Sequence, residues 1–227
     1  MIVTVDGPAA AGKSSAARLL AGRLGFEYLD TGAMYRAVTL AGLRAGIDLR
    51  DQEALARLLA TLTIELPPGR VLLNGEDVTT AIRSNQVTRA SAHVADSRLV
   101  RQHLVALQRA VAAGRDMVCE GRDQGTIVFT DAICKFFLVA DSTERARRRQ
   151  MEMEARAEIH TWEEVLRAQE ERDRRDAARD LAPMVPAADA ITVDSTNLSL
   201  VQVVDLMEAK VRERMARRNE PRKEDRS

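Results

Sequence analysis

The segment IVTVDGPAAAGKSSAARLLAGRLG, residues 2–25, constrains this chain more than any other. Its β-branched opening, IVTVD, reads as a strand that runs straight into GPAAAGKSS, after which apolar residues recur at helical spacing until Gly25 stops them. Gly7, four residues, Gly12, Lys13 and Ser14 fit GxxxxGK[ST], the phosphate-binding loop, in the strand, loop, helix setting that the motif requires. Glycine lets backbone N–H groups close around phosphate oxygens, and a helix beginning near Lys13 directs its positive dipole end at them. The expected nucleotide-phosphate site is therefore Gly7, Pro8, Ala9, Ala10, Ala11, Gly12, Lys13, Ser14 and Ser15. Lys13 would neutralise the β and γ phosphates, and Ser14 would hold magnesium.

The rest of the chain alternates strand and helix patterns. FEYLD (26–30) reads as a strand and AMYRAVTLAGLRAG as a helix ending near Gly46; DQEALARLLATL follows as a helix with Asp51 as its cap. Between Ile64 and Val78 short strands surround Pro67, Pro68, Gly69 and an Asn74-Gly75 turn, a hairpin signal that marks an inserted subdomain. Helical pattern resumes near Asn85 and runs, with a break near Asp96, to Gly114. MVCE (117–120), ICKFFLVA (133–140) and AITVD (190–194) read as buried strands, and LSLVQVVDLMEAKV as the closing helix. This alternation predicts an α/β fold with a parallel sheet covered on both faces. The stretch 215–227 has almost no apolar residues and is expected to fray.

Bulk properties exclude several function classes. Lys plus Arg and Asp plus Glu both number 34, so global charge argues for neither a nucleic acid nor an anionic membrane partner. Aromatics are only 3% and charged residues 30%, which implies an aliphatic core beneath a charged helical surface. Cys119 and Cys134 lack CxxC spacing and sit in apolar runs, as buried reduced thiols do; the three histidines are scattered, with no zinc or triad spacing. The apolar start is too short for a signal sequence, and no apolar run approaches the roughly 18 residues of a membrane span. A cytoplasmic protein is expected.

Cations cluster locally instead. Arg172, Asp176 and Arg179 fall at i, i+4 and i+7, which would stack them on one helix face, and Arg145, Arg148 and Arg149 cluster one helix earlier. By periodicity alone this is a solvated helix laced with ion pairs; beside a phosphate loop it also fits cations that close over a transferring phosphoryl group. Arg36 and Arg122 each follow a strand closely and would lie at the carboxyl edge of the sheet, where open α/β sheets bind ligands.

GPAAAGKSS, YLDTGAMYR, EGRDQGTIVF, ERDRRDAARDLAPMVPAADA and VDSTNLS, in this order and spacing, resemble the bacterial cytidylate kinases, from Ile2 to about residue 212. The resemblance implies phosphoryl transfer from ATP to CMP or dCMP, with magnesium; a monomer is expected. It also implies a three-layer P-loop kinase core, an inserted monophosphate-binding subdomain and a helical lid. On that reading residues 1–215 form the kinase domain, with core about 1–36, 84–145 and 183–214, insertion about 37–83 and lid about 146–182, and 216–227 is a charged, disordered tail. Carried over by motif, Arg148 neighbours the adenine; Arg36, Arg122, Arg172 and Arg179 surround the acceptor phosphate and the transferring group. Asp176, with Arg172, holds the ribose hydroxyls, and Arg101 and Asp123 read the cytosine, with Thr31 beside the acceptor. The chain departs from the family pattern at Thr31, at Ala92 (with Ser91 adjacent) and at Glu120, where serine, serine and aspartate are common. Two alternatives stand beside this reading: a P-loop kinase for UMP, AMP or a sugar acid, and a nucleotide-dependent switch, although the NKxD guanine signature is absent from the sequence.

Overall fold

Strand β1 (Ile2–Asp6) forms the middle of a five-stranded sheet in the order β2-β6-β1-β7-β8, all neighbours parallel. Its partners are β2 (Glu27–Asp30), β6 (Met117–Glu120), β7 (Cys134–Val139) and β8 (Ile191–Asp194). The structure, a computed structural model, describes residues 1–155 and 158–219. Parallel strands of this kind are buried on both faces, which is why the runs read as continuously apolar. Val3, Val5, Val118, Phe136 and Leu138 pack against α1 (Lys13–Leu24) and α8 (Leu200–Asn219). Leu29, Met117 and Cys119 face the opposite layer, built from α2 (Thr31–Arg44), α3 (Gln52–Leu59), α4 (Asn85–Asp96) and α5 (Arg98–Ala112). The result is three layers with the strands' carboxyl ends on one edge.

Local chemistry sets the element boundaries. Asp30 ends β2 and accepts the Ala33 amide, so α2 starts at Thr31, two residues earlier than the apolar pattern implies. Asp51 caps α3 as expected, and Ser97, capping α5, supplies the expected break after α4. The inserted segment folds as a small antiparallel sheet of β3 (Ile64–Glu65), β4 (Leu72–Leu73) and β5 (Glu76–Asp77). Asn74 and Gly75 join β4 to β5 with φ of 51° and 83°, the two positive values that a tight hairpin turn needs. Ile64, Val71, Leu73 and Val78 pack into the same core as α2 to α5.

Helices α6 (Ser142–Glu154) and α7 (Trp162–Ala177) pair through Ala146, Met153, Val165, Trp162 and Leu166, a small cluster separate from both main cores. Two expectations need amendment here. Helix α7 ends at Ala177, so Arg179 is not on the helix face with Arg172 and Asp176; it lies in the segment beyond the cap. Helix α8 continues to Asn219, into the stretch expected to fray, and residues 220–227 lie outside the described residues.

Candidate functional site

The phosphate loop leaves β1 at Asp6 and enters α1 at Lys13. Gly7 adopts φ 137° directly against β7: a Cβ there would sit 2.1 Å from the Leu138 carbonyl oxygen. No side chain caps α1, so its first amides are open to an anion. Lys13 is buried, and its Nζ donates to the Pro8 carbonyl at 2.5 Å. Burial and the neighbouring Arg122 push its pKa down to about 7, against the pull of Glu120. A phosphate beside it would add countercharge. Ser14 and Ser15, the next two positions of the helix, are exposed by contrast.

Beside the loop, Ser14 Oγ donates to Glu120 Oε2 at 2.9 Å, and the Tyr28 hydroxyl donates to the other carboxylate oxygen. Burial, together with nearby Asp30, raises the Glu120 pKa. Thr31 Oγ1 donates to the Glu120 carbonyl at 2.7 Å, tying the ends of β2 and β6 together. Arg36 reaches back to Asp30 at 3.1 Å, which confirms its position at the carboxyl edge.

Three arginines share one carboxylate. Arg122 Nε and Arg179 Nη2 lie 3.2 and 2.8 Å from the Asp176 carboxylate, and Arg172 Nε lies 3.9 Å away. Burial works to raise the Asp176 pKa, but the three guanidinium groups outweigh it and hold the carboxyl below its ordinary value. Arg172 is lowered to about 10 by burial and by Arg122. Arg179 also donates to Asp96 at 2.8 Å, so its guanidinium bridges the end of α4 to the end of α7. Two carboxylates among three guanidinium groups leave a local positive surplus, which an anionic phosphate would offset.

Arg101, from α5, forms a buried ion pair with Asp123 and lies 5.8 Å over the Tyr35 ring. The two residues proposed as base readers thus face one another. Asp123 is followed by a turn of π-helix (Gln124–Val128) whose Gln124 and Gly125 amides donate to Asp6 at 2.9 and 2.8 Å. Burial lifts the Asp6 pKa to about 6 despite those amide bonds. Arg148 stands on the other side of the loop, donating to Ser195 Oγ and O at 3.1 and 2.7 Å and to Glu144 at 2.8 Å.

The structure therefore brings Lys13, Arg122, Arg172, Asp176 and Arg179 to one edge of the sheet, with Arg101 and Asp123 adjacent and Arg148 behind the loop. Sequence reasoning missed Asp6, Tyr28, Asp96 and Ser195. Asp6 alone had a readable signal: a carboxylate ending an apolar strand, directly before the glycine loop.

A parallel sheet with a phosphate loop after its central strand and arginines gathered opposite that loop defines a P-loop kinase. The cytidylate kinase family matches residues 3–213. A cytidylate kinase of Citrifermentans bemidjiense is 47% identical over 220 residues, spanning 95% of this chain and 94% of its own. One of Pelotomaculum thermopropionicum is 49% identical over 214 residues, spanning 92% and 95%. An uncharacterized protein from Eubacterium ventriosum shares the fold, with a TM-score of 0.52 at 11% identity over 93% of this chain and 98% of its own. The chain belongs to the cytidylate kinase family.

Proposed function

We propose that this chain transfers the γ-phosphoryl group of ATP to CMP and dCMP, giving ADP and the pyrimidine nucleoside diphosphate. What supports this most is the sharing of Asp176 by Arg122, Arg172 and Arg179 beside the buried ammonium of Lys13. The nucleophile, an oxygen of the CMP phosphate, is already anionic, so no general base is needed. The protein's work is charge neutralisation, alignment and water exclusion. Lys13 and the loop amides meet the donor phosphates, while Arg36, Arg122, Arg172 and Arg179 hold the acceptor phosphate and the transferring group. Arg148 flanks the adenine, Thr31 lies beside the acceptor, and Asp176 with Arg172 takes the ribose hydroxyls.

Magnesium fits the donor set, because Ser14 Oγ and the Glu120 carboxylate are adjacent hard oxygens of the kind it takes beside phosphates. When bound it neutralises charge on the phosphates. Residues 37–83 are the acceptor-side insertion and 146–182 the lid. The separate small core of α6 and α7 supports movement of that pair as a unit. No helix among the described residues is long and apolar enough to cross a membrane. The proposed enzyme is a monomer that acts in the cytoplasm.

Base choice rests on Arg101 and Asp123. Cytosine offers an exocyclic amino group that a carboxylate accepts and ring acceptors that a guanidinium serves, whereas uracil sets a carbonyl against the carboxylate. A site built on such contacts discriminates because the wrong base leaves buried groups unpaired. Asp123→Ala is expected to reduce the CMP over UMP ratio of kcat/KM by tenfold or more, on the order of one charge-assisted hydrogen bond. A ratio equal to that of the unmodified protein would remove Asp123 from base reading.

A further inference from the structure

Helix α7 carries a carboxylate that the reaction above does not use. Asp173 Oδ1 accepts the amide of Ala9, inside the phosphate loop, at 3.4 Å. Its other oxygen pairs with Arg145 Nη1, and that same nitrogen donates to the Ala9 carbonyl at 3.2 Å. Arg145 is fixed further by Nε donating to the Ala140 carbonyl at 3.0 Å, and its own carbonyl accepts from Gln169 at 3.2 Å. Both backbone polar groups of Ala9 are thus held by the α6 and α7 pair. The side chains of Arg145 and Asp173 are 9% and 17% exposed, so this is a sheltered contact rather than a screened surface pair.

The peptide between Pro8 and Ala9 is gripped from its two ends. Its carbonyl accepts from Lys13 Nζ, and its N–H donates to Asp173. A peptide unit is planar, so any rotation of it strains both bonds together. In this arrangement the ammonium intended for phosphate is engaged by the loop itself, and a lid carboxylate occupies an amide of the anion cradle.

We infer that Asp173 is a positioning residue that, through the Pro8–Ala9 peptide, fastens the α6 and α7 pair to the phosphate loop and is displaced when nucleotide phosphate enters. The inference rests on reading the loop as the phosphate site. Asp173 stands in for an anion at the loop, and its negative charge opposes the incoming one. Removing that charge without changing shape lowers the opposition.

The test is titration with ADP, followed by calorimetry, of the full chain and of Asp173→Asn. Asparagine keeps an oxygen for the Ala9 amide but loses the charge and the pair with Arg145. The variant is expected to bind ADP about fivefold more tightly. A merely structural role would weaken binding, so unchanged or weaker affinity overturns the inference. Hydrogen exchange gives a second reading. The Ala9 amide is expected to be protected in the nucleotide-free protein and to lose most of that protection in Asp173→Ala; equal protection in both overturns the inference. If the unmodified chain does not bind ADP at all, the phosphate-site reading fails and this inference falls with it, whereas an altered Asp173 result alone leaves that reading standing.

Discussion

Lys13→Ala is expected to lower kcat for phosphoryl transfer on the order of a thousandfold or more. The ammonium is buried against the loop, with Arg122 beside it and Glu120 pulling the other way. On the proposed reading, alanine deletes the loop ammonium that follows charge from the β to the γ phosphate as the bond breaks. Solvent cannot substitute, because the position is closed to it. Release of ADP in a coupled assay with ATP and CMP measures the loss. Turnover near that of the unmodified chain would refute the role of Lys13.

Gly7→Ala should be the most damaging change to the fold. The added carbon would lie 2.1 Å from the Leu138 carbonyl oxygen, a backbone atom of β7 held in register with β1. Neither strand can retreat without breaking the sheet, and φ of 137° is already hostile to a side chain. A loss of about 3–5 kcal/mol in urea unfolding, or failure to fold, is expected. Gly22→Ala is the control. Gly22 is an exposed helical position with nothing within 4 Å of the added carbon, so stability there should hold or rise by roughly 0.5–1 kcal/mol. Loss of less than 1 kcal/mol at Gly7 would show that the loop does not pack against β7 as described.

The contrast between those two glycines shows what the sequence encodes locally and what it does not. The loop motif, the apolar strands and the Asn74-Gly75 turn are each specified by a handful of adjacent residues, and all were legible. Arg36 and Arg122 were legible as edge residues because each follows its strand within a few positions. Periodicity placed Arg179 on α7, where it is not, because helical spacing says nothing about where a helix stops; the chain leaves the helix at Ala178. Even so, Arg179 meets Asp176, since a long flexible side chain tolerates the change in backbone path.

Other features depend on pairs far apart in sequence. Asp173 reaches Ala9, and Asp96 reaches Arg179. No local pattern announces such a contact: an aspartate in a charged run looks the same whether it faces solvent or a backbone amide. The resemblance to a family supplied the roles of Arg101 and Asp123, which neither spacing nor charge could have assigned, and the structure sets the two side chains against each other as a buried pair.

On the proposed reading, the cations around Asp176 and the pair at Asp123 together select a cytosine monophosphate and promote its phosphorylation. The decisive experiment measures kcat/KM of the purified chain with ATP and magnesium for CMP, dCMP, UMP and AMP in turn. CMP and dCMP are expected to lead UMP and AMP by at least tenfold. UMP or AMP equalling CMP, or no transfer to any of the four, would contradict the account.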